Sequence, residues 1–266
     1  MILRGHIFSQ VLEMDTGLTI VAADKFLPHG PHKVVYLLHG LCGNSESWAD
    51  YTMLPAYADK YDALFVLPEG GRSFYRDMRY GQRVFSYIAR ELPQICQGLL
   101  HISSRREDTV IIGGSMGGYG ALQCALSYPE QYGTCCALSS ACLFMAEAMA
   151  FGRQNPQWLE EQWGRQLGQD FNAIFGPELQ PQPEDELLFL AQKIDAAGPK
   201  PRLYAACGKE DPFLGDHRRF QQQMAKLNFD FTYEELPGAH DWSYFDRALQ
   251  RALHFAFKTE RKPTAR

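Results

Sequence analysis

The chain has 266 residues, of which 45% are hydrophobic and 21% are charged, a composition typical of a globular protein and not of a disordered or fibrous one. Its 26 Lys and Arg residues against 31 Asp and Glu residues give a net charge of −5, which argues against binding to nucleic acids or to anionic membrane surfaces. Because α/β proteins often reach about 250 residues as one unit, we expect a single domain over residues 1–266.

The cysteines and the N-terminal residues indicate the cellular compartment in which the protein is expected to work. The N-terminus lacks a basic segment followed by an apolar one, so it does not predict a secretory signal, and no apolar stretch reaches the length of about 18 residues that a membrane helix needs. The seven cysteines include one adjacent pair, Cys135 and Cys136, and no C-x-x-C spacing. This pattern favours reduced, mostly buried thiols and a cytoplasmic location, and it predicts no metal site.

Apolar runs and helical patterns alternate along the chain. Two early segments, 8–14 and 18–23, alternate in polarity and predict antiparallel edge strands. Unbroken apolar runs follow at 34–38, 63–67, 109–112, 135–138, 202–207 and 229–236, with helical patterns at about 50–60, 82–100, 117–127, 214–227 and 242–257. Unbroken runs of this length are typical of strands buried on both faces. The sequence therefore predicts a mostly parallel α/β sheet of about eight strands flanked by helices.

Residues 141–198 interrupt this alternation, because they are too long for a simple connection between two strands. They carry aromatic residues, Trp158 and Trp163 among them, at roughly helical spacing, followed by a Pro-rich stretch at 176–183. We interpret the segment as a small insertion that caps a pocket at one end of the sheet. Packing of its aromatic side chains onto the body of the protein is the simpler alternative.

The sequence Gly113-Gly114-Ser115-Met116-Gly117 follows a predicted buried strand and opens a predicted helix. A G-x-S-x-G motif in that context is typical of a nucleophilic serine on a sharp strand-to-helix turn, where larger neighbours would collide with the strand or the helix. A phosphate-binding loop is the alternative, but no Lys-Ser or Lys-Thr follows the glycines and the dinucleotide-binding spacing is absent. Ser115 is therefore the candidate nucleophile.

A nucleophilic serine needs a histidine base, which follows it in the chain in this kind of site. His240 lies in a predicted turn between the last strand and the last helix, from which its imidazole can reach Ser115. His217 and His254 fall in or beside predicted helices, and we interpret them as packing or surface residues. His240 is therefore the candidate base.

The acid that orients the base is expected just after the run 202–207, where Glu210 and Asp211 stand next to each other. Neighbouring side chains on a turn point in different directions, so only one of the two can reach His240. The position alone leaves both open.

Four segments around these residues resemble the putative esterase family of α/β-hydrolases. They are LHGLCGN at 38–44, GSMGGYGA at 114–121, CGKED at 207–211 and GAHDW at 238–242. The resemblance covers nearly the whole chain and is strongest for the bacterial tributyrin esterases, in a family that also includes S-formylglutathione hydrolases and acetyl and feruloyl esterases. It implies an α/β-hydrolase fold in which Ser115 is the nucleophile, Asp211 the acid and His240 the base.

The oxyanion hole is expected from two backbone N–H groups, those of Leu41 after the strand 34–38 and of Met116 after the nucleophile. We interpret His39 as a loop residue that hydrogen-bonds this turn, and Cys42 as an inert buried thiol. S-formylglutathione hydrolases carry serine at the position of His39 and Leu-Thr-Cys after the glycine. The departure of this chain from that pattern disfavours a glutathione thioester as its substrate.

The sequence thus predicts a serine carboxylesterase that hydrolyses short-chain acyl esters through an acyl-enzyme, with a small-molecule ester as its partner and no cofactor. Tyr75 and Arg72, in the loop after the strand 63–67, and Trp158 in the insertion are candidates for substrate binding. An S-formylglutathione hydrolase, an acetyl-xylan or feruloyl esterase, and an acyltransferase on the same scaffold are the alternatives. Homo-oligomerisation stays open.

Overall fold

The computed structural model describes residues 1–24, 31–196 and 198–257, and its centre is an eight-stranded sheet. The strands are β1 (Ile2–Ser9), β2 (Met14–Val21), β3 (Lys33–Leu38), β4 (Ala63–Pro68), β5 (Thr109–Gly114), β6 (Thr134–Leu138), β7 (Arg202–Gly208) and β8 (Phe231–Leu236). Their order is β1-β2-β4-β3-β5-β6-β7-β8. The strands from β4 to β8 pair in parallel, and β2 pairs antiparallel with both β1 and β4. The predicted mostly parallel sheet is confirmed.

Helices cover both faces of the sheet. They are α1 (Ser47–Tyr51), α2 (Leu54–Tyr61), α3 (Val84–Ser86), α4 (Leu92–Leu99), α5 (Met116–Ser127), α6 (Met145–Gln154), α7 (Pro156–Trp163), α8 (Arg165–Phe175), α9 (Leu187–Asp195), α10 (Leu214–Met224) and α11 (Trp242–Ala256). A π-helical turn, Tyr87–Glu91, joins α3 to α4. Within the part of the chain that the structure describes, no helix is long and apolar enough to cross a membrane.

The sheet separates two hydrophobic cores, because successive side chains of a strand point to opposite faces. In β3, Val34 belongs to the core formed with α4, α5 and α9, and the adjacent Val35 belongs to the core formed with α1, α2 and α11. Both side chains are fully buried. Burial on both faces explains why the sequences of the central strands are unbroken apolar runs.

The first hairpin differs from the prediction in its position. The predicted strand at 8–14 spans the end of β1, the turn and the start of β2, whereas β1 covers Ile2–Ser9 and β2 covers Met14–Val21. Most of β1 is exposed, so its sequence lacks the alternation by which a half-buried strand is recognised. Glu13 turns the chain with a φ of 57°.

Helices α6 to α9 lie between β6 and β7, within the segment that the sequence sets apart as an insertion. The buried side of α8 carries Leu167, Phe171, Ile174 and Phe175, which belong to the core that also contains α5. Tyr119 of α5 donates a hydrogen bond to the carbonyl of Asp185, just before α9. The insertion is therefore packed directly on the helix that follows Ser115.

Candidate active site

Ser115 stands at a strained turn between β5 and α5, with φ of 57° and ψ of −123°. The turn is possible because its neighbours lack side chains. A Cβ atom on Gly113 would lie 2.0 Å from the carbonyl oxygen of Gly117, and a Cβ atom on Gly117 would lie 2.3 Å from that of Leu38. These close approaches hold the serine hydroxyl at the carboxyl edge of the sheet, and α5 begins at the next residue.

The side chain of His240 lies between those of Ser115 and Asp211. Its Nε2 is 2.9 Å from the Ser115 Oγ, and its Nδ1 is 2.7 Å from the Asp211 Oδ2. The three residues follow β5, β7 and β8, whose carboxyl ends meet at one edge of the parallel sheet. The distances suit transfer of the serine proton to an imidazole whose other nitrogen is held by a carboxylate.

The carboxylate of Asp211 is almost fully buried, and its second oxygen, Oδ1, accepts a hydrogen bond from the backbone N–H of Phe213 at 2.9 Å. Burial by itself would raise the pKa of Asp211. The hydrogen bond and charge of His240, the Phe213 N–H and the hydroxyl of Ser139 outweigh that effect and hold the pKa below its usual value. The carboxylate beside the imidazole is therefore ionised at neutral pH.

The loop after β3 runs beside the nucleophile. A Cβ atom on Gly40 would lie 3.4 Å from the Cβ of Ser115, so the backbone of this loop passes close to the serine. Leu41 and Met116 line the same cavity as the serine hydroxyl. Among the described residues, neither of their backbone N–H groups donates to an acceptor. Both N–H groups are thus free to bind an oxygen atom of a ligand.

His39 fastens this loop in place and is buried. Its Nδ1 donates to the carbonyl of Gly40 at 2.7 Å, and its Nε2 accepts from the N–H of Gly70 at 2.9 Å. Tyr75 lies beneath it and donates its hydroxyl to the carbonyl of His39 at 3.0 Å. Tyr75 is fully buried and packs against Gly70 and Gly120, so the structure places it away from the cavity that it was expected to line.

A cavity of about 1120 Å³ opens in front of the serine. Its catalytic side includes Leu41, Ser115, Met116 and His240, and the insertion contributes Phe151, Trp158, Trp163 and Phe171. Arg72 lines it as well, with its Nε bonded to Asp170 Oδ2 of α8 at 2.7 Å. Arg72 and Trp158 are therefore placed where a substrate could touch them.

Cys42 is also part of the cavity wall and is exposed, so the expectation of a buried thiol at this position is wrong. The reason is local. Cys42 follows Leu41 on the loop that leaves β3 toward the cavity, beyond the sheet that buries the strand residues. Five other cysteines are buried, as the sequence predicts: Cys96, Cys124, Cys135, Cys136 and Cys207.

Two phenylalanine rings that the sequence analysis did not single out enclose the imidazole of His240. The ring centroid of Phe213 is 5.3 Å from that of His240, and the centroid of Phe245 is 5.1 Å away, both nearly perpendicular to the imidazole. Their positions offer a signal in hindsight: Phe213 stands two residues after Asp211, and Phe245 lies in the first turn of the helix after His240.

The arrangement has the groups that acyl transfer requires: a hydroxyl, a base oriented by a carboxylate, and two free N–H donors beside the hydroxyl. In the described ranges, no group of three or more His, Cys, Asp or Glu residues is placed so that it could hold a metal ion.

Comparisons with known proteins agree with this chemistry. A family model described as putative esterase matches residues 9–256. An acetyl esterase from Caldicellulosiruptor saccharolyticus is 28% identical over 227 residues, which cover 85% of this chain and 84% of that protein.

Two solved structures from Staphylococcus aureus have the same fold over nearly their whole length. The fluorophosphonate-binding serine hydrolase FphF is 26% identical with a TM-score of 0.84, covering 97% of this chain and 99% of that one. The S-formylglutathione hydrolase FrmB is 27% identical with a TM-score of 0.81 and the same coverage. The expected α/β-hydrolase fold is confirmed by these two hydrolase structures.

Proposed function

Because this chain belongs to the putative esterase family and is a carboxylic ester hydrolase, we propose that it works through a Ser115–His240–Asp211 triad and an acyl-enzyme. The observation that carries the proposal is the position of His240, whose two ring nitrogens lie 2.9 Å from the serine hydroxyl and 2.7 Å from the buried carboxylate.

The reaction proceeds in two halves. The Ser115 Oγ attacks the ester carbonyl while His240 Nε2 takes the hydroxyl proton, and the resulting tetrahedral intermediate collapses as His240 returns that proton to the leaving alcohol. A water molecule then attacks the acyl-enzyme, gives its proton to His240 and releases the acid, while the proton passes back to Ser115. Asp211 keeps the Nδ1 proton in place and stabilises the imidazolium in both halves.

The backbone N–H groups of Leu41 and Met116 bind the oxyanion of each tetrahedral intermediate. The support for this assignment is their position on the cavity wall beside Ser115 and the absence of another acceptor for either N–H within the described residues. A donor in this position contributes about 3 kcal/mol to stabilisation of the transition state. His39 acts indirectly, because it anchors the carbonyl of Gly40 and so fixes the N–H that follows.

The substrate that we propose is an ester with a short acyl chain. The name of the acetyl esterase relative supports a small acyl group. The cavity of about 1120 Å³ exceeds the needs of an acetyl group, so we assign most of it to the alcohol part of the ester. Arg72 and Trp158 would contact that part.

S-formylglutathione is the second candidate substrate, favoured by the likeness to FrmB over nearly the whole of both chains. This thioester would occupy the site in the same way as the proposed ester. Its small formyl group would lie at the serine, and its bulky thiol leaving group would lie in the cavity.

Labelling with a fluorophosphonate probe tests the nucleophile. The native chain should form one covalent adduct, and Ser115→Ala should form none and lose roughly six orders of magnitude in kcat with unchanged folding. Ser140→Ala, which removes another buried hydroxyl near α5, is the matched control and should keep both labelling and activity. Labelling that persists in Ser115→Ala would remove this serine from the mechanism.

A further inference from the structure

The insertion makes contact with the catalytic base through a single intervening ring. Trp163, the last residue of α7, stacks on Phe213 with ring centroids 5.5 Å apart and an angle of 8° between the planes. The other neighbour of Phe213 is His240, at 5.3 Å and 85°. Trp163, Phe213 and His240 thus form a continuous aromatic chain from the insertion to the imidazole.

Phe213 also reaches the acid of the proposed triad. Its backbone N–H donates to the Asp211 Oδ1 at 2.9 Å, and its carbonyl accepts the N–H of His217 in α10. One residue therefore touches the imidazole with its ring and the carboxylate with its backbone. A shift of Phe213 would disturb both partners of the serine together.

Among the ring contacts of Phe213, Trp163 is the stacked partner, while the rest of the side chain packs against the edge of the hydrophobic core. Phe213 is only half-buried and lies on the cavity wall. Removal of the indole would expose the stacked face of the Phe213 ring to solvent and free the ring to change rotamer. Since misplacement of a reacting group by about 1 Å can cost about 10²-fold in rate, such freedom would slow the chemical step.

We propose that Trp163 is a positioning residue for the base: by stacking on Phe213 it fixes the orientation of His240, so the insertion takes part in the chemical step besides lining the substrate cavity. The inference rests on the proposed role of His240 as the base. It differs from substrate binding by Trp163, which would act on KM and depend on the size of the ester.

The test uses a small ester, p-nitrophenyl acetate, and three variants of the full chain. Trp163→Ala should lower kcat about 10-fold to 100-fold with little change in KM, and Trp163→Phe, which keeps a flat ring for the stack, should restore kcat to within about threefold. Phe189→Ala in α9 is the matched control, because this insertion aromatic is 41% exposed against 39% for Trp163 and lies outside the cavity wall. It should keep native kcat.

A double-variant cycle identifies the route of the effect. Phe213→Leu removes the ring but keeps the backbone N–H on Asp211, and it should lower kcat by a similar factor to Trp163→Ala. If Trp163 acts through Phe213, the double variant should be no slower than Phe213→Leu alone. Losses that multiply would show that the two residues act separately and would overturn the proposal.

Other results would overturn it as well. These are an unchanged kcat in Trp163→Ala, a rise in KM alone, an equal loss in Phe189→Ala, or a failure of Trp163→Phe to restore the rate. Thermal unfolding of each variant separates a catalytic loss from a folding loss. Activity that survives Ser115→Ala would instead refute the proposed triad, so the two failures are distinguishable.

Discussion

The carboxylate of Glu210 accepts a hydrogen bond from the backbone N–H of Gly238 at 2.6 Å, and the N–H of Glu210 donates to the Gly238 carbonyl at 3.1 Å. These two bonds join the loop after β7 to the loop that carries His240. The adjacent Asp211 points to the imidazole itself. Two neighbouring carboxylates therefore have different positions: one joins the loops and the other holds the base.

This difference predicts the effect of replacing each acid by its amide. Asp211→Asn keeps the shape but favours the wrong imidazole tautomer, and we expect a loss of about 10⁴ in kcat with near-native thermal stability. In Glu210→Gln the amide oxygen can still accept the bond from Gly238, so kcat should stay within about tenfold. Steady-state kinetics and thermal unfolding measure both.

Asp216→Asn is a second control for this prediction, since Asp216 lies on the cavity wall and pairs with Arg219 at 3.0 Å. An exposed pair of this kind contributes little, and kcat should again stay within about tenfold. If Glu210→Gln or Asp216→Asn proves the more damaging change, the assignment of the acid to Asp211 is wrong.

The length of the acyl chain is the next prediction. If Leu41 and Met116 confine the acyl group, kcat/KM should be highest for acetyl to butyryl esters and at least about tenfold lower for octanoyl esters. A series of p-nitrophenyl esters, with tributyrin, acetylated xylan, methyl ferulate and S-formylglutathione alongside, measures this preference. Met116→Ala keeps the N–H of residue 116 and should shift the optimum to longer chains. Rates that rise up to C8 in the native enzyme would mean that the large cavity takes the acyl chain.

The glycines of the serine turn predict a change in stability. A Cβ atom on Gly117 would lie 2.3 Å from the Leu38 carbonyl oxygen, so Gly117→Ala should lower the free energy of unfolding by more than about 2 kcal/mol. Gly168 in α8 has open space around its Cβ position, and Gly168→Ala should raise stability by up to about 1 kcal/mol. Urea unfolding measures the free energy of unfolding of both variants. Equal changes in Gly117→Ala and Gly168→Ala would contradict the steric argument.

The pH dependence of stability should depend on His217. Burial lowers its pKa to about 4, although the nearby Asp211 carboxylate acts in the opposite direction. In the unfolded chain a histidine has a pKa of about 6.5, so between these values the unfolded state binds a proton that the folded state does not. His217 alone should therefore lower the free energy of unfolding by about 3 kcal/mol as the pH drops from 6.5 to 4.

His217→Phe keeps a ring that can stack on Tyr233, as the imidazole does at 6.2 Å, but it removes the titrating group. Urea unfolding of this variant at pH 7.5 and at pH 5 should show a smaller loss of stability than in the native chain. His254→Phe, the same substitution at an exposed position of α11, is the matched control. An equal acid-induced loss in His217→Phe and in the native chain would contradict the prediction.

The positions of Ser115, Asp211 and His240 could be predicted because each follows a buried apolar run. The carboxyl ends of parallel strands meet at one edge, so residues far apart in sequence come together once the sheet is known. The sequence alone could not separate Asp211 from Glu210, because the direction of each side chain depends on the hydrogen bonds between the two loops.

The placement of Tyr75 and the stack on Phe213 could not be predicted. Phe74 and Tyr75 both have positive φ, at 49° and 53°, and together they turn the Tyr75 ring inward without a glycine at either position to signal the bend. The contact of Trp163 with Phe213 joins residues 50 positions apart. The geometry of this contact depends on how α7 packs over the loop after β7. Hydrophobic periodicity in the sequence does not predict that packing.

The insertion occupies one uninterrupted stretch of chain between β6 and β7, whereas Ser115, Asp211 and His240 follow β5, β7 and β8. A single genetic exchange at these two boundaries would therefore replace the part of the cavity wall that the insertion supplies and leave the reacting groups in place. Family members could diverge in substrate by this route. Besides packing onto α5 as α8 does, the incoming segment would have to supply a flat ring where Trp163 meets Phe213 if the proposed role of that stack holds.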